Sequence, residues 1–120
     1  MDQRIKELWV KALRSGEYKQ TQHFLNCDRG FCCIGVLADL YIKETNEGHW
    51  QQTTTPVDGV TPLVFNDVNA SILPVEVMEW AGLVNELIVT SEHGKVSFYE
   101  LNDSLRLSFV EISNIIEKQL

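Results

Sequence analysis

Positive charge is scarce in this chain. Lysine and arginine together number 10 against 17 aspartates and glutamates, for a formal net charge of −7. A protein that grips a phosphate backbone accumulates Lys and Arg, so nucleic acid is not an expected partner. No apolar run approaches the roughly 18 to 20 residues needed to cross a bilayer, so no membrane partner is expected either. The opening stretch MDQRIKELWVKALRSG is broken by charges at Asp2, Arg4, Lys6, Glu7, Lys11 and Arg14. That leaves no apolar core for a secretion signal. Cysteine is sparse and odd in number (Cys27, Cys32 and Cys33), which together with the missing signal points to reduced thiols in a cytoplasm. Repeats, low-complexity tracts and linkers are also missing. A chain of 120 residues is therefore expected to form one domain over 1–120.

The charge that is present is unevenly spread. Residues 1–33 hold six Lys/Arg against four Asp/Glu, whereas residues 46–120 hold three against eleven. The acidic portion serves solubility or meets a basic protein surface.

The apolar periodicity outlines an α+β fold. Ile5, Leu8, Trp9, Ala12 and Leu13 recur at helical spacing, and Gly16 supplies a stop. The stretch YKQTQHFLN reads as extended, and NCDRG as a tight reversal into a short FC segment. From Cys33 to about Thr45 the apolar residues cover most of a helix circumference, predicting a central buried helix in which Gly35 lets another element approach closely. Residues 46–72 read as loops with short strands near Trp50–Thr55 and Leu63–Phe65. LPVEVMEWAGL reads as a short helix with Pro74 in its first turn, with Val75, Met78 and Trp80 or Ala81 facing the core, and with Gly82 as its stop. A hairpin is expected with Leu87–Thr90 facing Val96. Two Ser-x-x-Glu capping signatures, at Ser97 and Ser108, predict helices over 98–103 and 109–118. The expected architecture is an amphipathic N-terminal helix, a buried central helix, a small antiparallel sheet and a C-terminal helix pair.

Several constellations could carry chemistry. His23, Cys27, Cys32 and Cys33 include zinc-ligand types, but adjacent cysteines turn their sulfurs apart and no second ligand pair lies downstream, so no metal is expected. Cys33 at a helix N-terminus could be a nucleophile with a lowered pKa, served by His93 on the predicted hairpin. That order resembles the NlpC/P60 type of cell-wall peptidase, in which a helix-initiating Cys precedes a strand-borne His. The chain has Cys32-Cys33-Ile34 where those enzymes usually have Asp-Cys-Ser. Against the cysteine hydrolase stands the simpler reading that the thiols pack a hairpin against the central helix as small hydrophobes. The C-terminal helix pair suggests a helix-turn-helix, but residues 109–118 carry Glu111 and Glu117 against Lys118 alone, which argues against insertion into a groove. Finally, Arg14, Tyr18, Gln20 and Arg29, with Lys19 beside them, form a local positive cluster suited to a small anionic or nucleotide-like ligand.

Four segments together, WVKALRSGEYKQ, FCCIGVLADLY, LPVEVMEWAGL and YELNDSLRLSFVEISNIIE, resemble a family of small proteins encoded by tailed phages and prophages. Its recurring pattern runs ALRSG-x-Y-x-Q, CC-x-GVL, a Trp-Ala-Gly-Leu helix end, then LND and SF-x-EI. The family often has glycine in the turn after LND, where this chain has Ser104-Leu105-Arg106-Leu107, and a further cysteine where it has Ala38. The resemblance implies an accessory protein acting in the cytoplasm of an infected bacterium, and it supplies no catalytic residue. By analogy with other small acidic phage proteins, the expected role is non-enzymatic counter-defence. The chain would act by stoichiometric capture, without cofactor, of a nucleotide-derived immune signal or of a host defence protein, with a homo-oligomer as a plausible assembly.

Overall fold

Helix α1 (Gln3–Arg14) begins where the Asp2 carboxylate accepts a hydrogen bond from the Ile5 amide at 3.0 Å, satisfying one of the four amides that a helix start leaves open. Its apolar stripe, Ile5, Trp9, Val10 and Leu13, is buried. The structure, a computed structural model, describes residues 1–53, 56–66, 70–83, 88–92 and 94–120.

After α1 the chain runs irregularly to a two-residue hairpin, β1 (Asn26–Cys27) and β2 (Gly30–Phe31), then enters α2 (Cys33–Thr45). Strands β3 (Trp50–Gln52) and β4 (Pro62–Phe65) complete a four-stranded antiparallel sheet in the order β2-β1-β4-β3. Asn26 faces Phe31 on one side and Leu63 on the other, which puts β1 inside the sheet. Helix α3 (Val75–Ala81) follows, then the hairpin β5 (Ile88–Ser91) and β6 (Gly94–Ser97), a wide π-type turn over Glu100–Ser104, and α4 (Phe109–Gln119). In that hairpin Val89 faces Val96; Leu87, expected to open it, lies outside the described residues. This is the α+β architecture expected from the sequence. The first member of the C-terminal pair is a single wide turn and the second a full helix with a complete capping box between Ser108 and Glu111.

Helix α2 is the centre of the core. Cys33, Ile34, Gly35, Val36, Leu37 and Ala38 are buried in succession, as is Tyr41, so no face of its first turn and a half meets water. Helix α1 lies chiefly against α4 and secondarily against α2. The Trp9 indole donates to the Cys33 carbonyl at 2.9 Å, giving a buried polar tip its partner. The sheet joins this core through aromatic edges, with Trp50 to Phe65 at 5.6 Å and Phe65 to Tyr41 at 6.0 Å between ring centroids. In α3 the buried residues are Val77 and Ala81, while Val75 is 65% exposed. Of the residues expected to face the core, Ala81 is buried and Met78 and Trp80 pack partly buried against it; Val75 alone faces outward, and Val77 is buried in its stead.

Candidate functional site

The segment between α1 and β1 contains little regular structure, and a polar node holds it in place. Asn102, 1% exposed, accepts at Oδ1 from the Cys33 amide (3.1 Å) and from Gln20 Nε2 (3.0 Å). Its Nδ2 donates to the Thr21 carbonyl and to Asp103 Oδ1, both at 2.8 Å. Gln20 extends the node, donating also to the Leu107 carbonyl at 2.8 Å and accepting from the Phe109 amide at 3.1 Å. Asp103 Oδ1 in turn accepts from the His23 amide at 3.0 Å. One buried side chain thus ties together the start of α2, the 20–23 segment and the turn before α4.

Beside this node lies a cavity of about 520 Å³. Arg29 and Arg106 supply its positive charge, His23 an imidazole, Asp58 a single carboxylate, and Phe24, Val57 and Val60 an apolar wall. Among the described residues neither Arg29 nor Arg106 makes an ion pair, while the nearest acid to His23 is Asp103, at 3.9 Å. The wall is set by a tight turn. Val57 and Val60 exchange both backbone hydrogen bonds, at 2.8 and 2.9 Å, around Asp58 (φ 50°) and Gly59 (φ 76°). Two central residues at positive φ are the pattern of a type I′ turn, for which Asp-Gly is a preferred pair. Five described non-glycine residues have positive φ, and three of them, His23, Asp58 and Arg106, line this cavity. Histidine and arginine enter that region at a cost, so the surrounding hydrogen bonds must hold them there.

The residues singled out from the sequence do not converge on one place. Arg29 lines the cavity. Arg14 clamps α1 onto α4, donating to Ser113 Oγ (2.9 Å), Asn114 Oδ1 (2.7 Å) and Glu117 Oε2 (2.9 Å) beside a separate groove of about 540 Å³. Tyr18 is tied to α2. Its hydroxyl donates to Asp39 Oδ2 at 2.6 Å and accepts from Lys43 at 2.9 Å, while the Trp50 indole donates to Asp39 Oδ1 at 3.1 Å. Burial and then the Asp39 bond push the Tyr18 hydroxyl pKa up, and the hydrogen bonds with Tyr18 and Asp39 hold the Lys43 ammonium firmly charged. Gln20 belongs to the Asn102 node. Arg106 and the Val57–Val60 turn were missed. The Asp-Gly pair flanked by valines was an available signal for the turn, whereas nothing local marks Arg106.

Cys33 does open α2, as expected, but its thiol is 0% exposed and donates to the Phe98 carbonyl at 3.6 Å. Burial, reinforced by neighbouring Cys32, pushes its pKa well up, and burial pushes that of Cys32 to about 12. Here desolvation outweighs the helix dipole. His93 lies outside the described residues. Among those described, no group of three His, Cys, Asp or Glu side chains is placed to hold a metal ion, and no helix is long and apolar enough to cross a membrane. Since Cys27 is also buried, at 5% exposure, iodoacetamide at pH 8 should label no thiol of the native chain within an hour and all three after denaturation. Rapid native labelling of Cys33 would restore the nucleophile reading.

The model of a family described as a domain of unknown function, DUF8296, matches residues 1–120. The chain belongs to the DUF8296 family. No curated protein and no solved structure matches it. For this DUF8296 chain, chemistry must therefore be argued from the cavity itself. Two guanidinium groups without an ion pair among the described residues, an imidazole and an apolar wall can bind an anion and the flat or apolar body attached to it.

Proposed function

We propose that this chain is a non-enzymatic binding protein that captures a small phosphorylated, nucleotide-derived ligand in the cavity between the 21–24 segment, the β1–β2 turn and Arg106. The observation that carries the reading is the pair Arg29 and Arg106, free of ion pairs among the described residues yet lining one cavity of an acidic chain. Arginine presents a rigid fork of donors that matches phosphate oxygens. Phe24, Val57 and Val60 give a base or sugar an apolar surface. The thiols that could have served a hydrolase are sealed in the core. The resemblance to phage and prophage proteins implies an accessory protein in the cytoplasm of an infected cell, and capture, of a nucleotide signal or of a host defence protein, is the role expected by analogy with other small acidic phage proteins.

Native mass spectrometry of the protein purified from bacterial cytosol tests this directly. The expected result is an excess mass of about a few hundred daltons, one phosphorylated molecule per site, that disappears on denaturation. Arg29→Ala and Arg106→Gln should each weaken capture about 10- to 100-fold, the range for losing a hydrogen bond to a charged group, with thermal unfolding little changed. A bare polypeptide mass from both wild type and variants, under conditions that keep nucleotide complexes intact, would refute the reading and leave a protein target in its place.

A further inference from the structure

The cavity contains a negative charge that an anion-capturing site does not need. Asp58 lines it together with Arg29, Arg106 and His23, and among the described residues its carboxylate takes part in no ion pair. The turn does not require the charge. Asp58 sits at φ 50°, a conformation that asparagine adopts at least as readily. Nor is the position loose, because Val57 and Val60 close the turn with two hydrogen bonds.

An anion that filled the cavity would be repelled by this carboxylate, whereas a ligand anionic at one end and rich in hydrogen-bond donors at the other would not. We infer that the site reads both ends of its ligand: a phosphate held by Arg29, Arg106 and His23, and a donor group, from sugar hydroxyls or a base amino group, held by Asp58. Resting on the capture reading above, this narrows the ligand class to phosphorylated nucleosides and excludes bare polyphosphates. An acidic side chain accepting from ribose hydroxyls is a general solution to recognising that sugar. Charge-assisted bonds of this kind are about twice as strong as neutral ones. Phe24, which lines the same cavity, then meets the body of the ligand.

Isothermal titration of wild type and Asp58→Asn with pyrophosphate, AMP and 2′,3′-dideoxy-AMP separates the outcomes, and the asparagine keeps the turn. Wild type should prefer AMP to pyrophosphate. In Asp58→Asn that preference should fall about tenfold, with pyrophosphate bound more tightly than before. Loss of affinity for the dideoxy compound by wild type assigns the donor to the sugar; retained affinity assigns it to the base amino group. An unchanged preference, with AMP and pyrophosphate both bound more tightly by the variant, overturns the inference while leaving anion capture standing. Failure of all three probes to bind wild type overturns both.

Discussion

Asn102→Ala is expected to destabilise the fold by about 3–5 kcal/mol, enough to leave many small domains partly unfolded at growth temperature. The side chain is almost wholly buried and makes four hydrogen bonds, to Gln20 and Thr21 in one segment, to the Cys33 amide in another and to neighbouring Asp103. Alanine would strand the Cys33 amide at the start of α2 and the Thr21 carbonyl, and would leave Gln20 with only its bonds to Leu107 and Phe109. Each buried polar group left without a partner costs about 1–3 kcal/mol, and the cavity left behind adds to this. Asn102→Asp tests whether geometry or volume matters. Aspartate keeps the size and both acceptor bonds, but it cannot donate to Thr21, and it would face Asp103 at the position now 2.8 Å from Nδ2. It should be as damaging as alanine at pH 7. Urea unfolding of the three proteins gives the comparison, and a loss below about 1 kcal/mol in both variants would mean that the 20–23 segment is held elsewhere. Because Asp103 also holds the His23 amide, both substitutions should weaken ligand capture even where the chain still folds.

The same node explains why the site was only partly legible in the sequence. Arg14, Tyr18, Gln20 and Arg29 are close along the chain and chemically compatible, which invited their grouping. Each, however, is claimed by a different element: Arg14 by α4, Tyr18 by Asp39 on α2, Gln20 by Asn102, and only Arg29 by the cavity. In an irregular segment successive side chains follow neither a helical nor an alternating period, so proximity in sequence does not translate into a shared direction. Arg106 joins Arg29 at the cavity from 77 residues further along the chain, at a positive φ within a turn whose neighbours are fixed by bonds back to Glu100 and Leu101. The helices were a different matter. The bounds of α2, the Ser108 capping box and the hairpin β5–β6 follow from local periods and caps, and those signals read through.

Gly35→Ala should be strongly disruptive, with a loss above about 4 kcal/mol, although helix propensity alone favours alanine by about 1 kcal/mol. Gly35 lies in the first turn of α2, where a Cβ would sit 1.7 Å from the Leu25 carbonyl oxygen and 2.5 Å from its carbon. Ordinary contact begins near 3.4 Å, so the methyl group and the Leu25 backbone cannot both keep their places. Leu25 cannot withdraw freely. Its carbonyl accepts from the Cys32 amide at 3.2 Å, its own amide donates to the Ala70 carbonyl at 2.8 Å, and its side chain is 0% exposed. Opening that contact would separate the strand approach from α2 and carry the 21–24 wall of the cavity with it. Gly16→Ala is the matched comparison. Gly16 has φ +78°, and a methyl group added there would meet nothing within 4 Å, so its substitution carries only the backbone penalty, about 1 kcal/mol. Thermal and urea unfolding of the two variants should therefore differ by at least about 3 kcal/mol. If Gly35→Ala instead equals or exceeds wild type in stability, helix propensity outweighs the close approach, and α2 and Leu25 must stand further apart than these distances require.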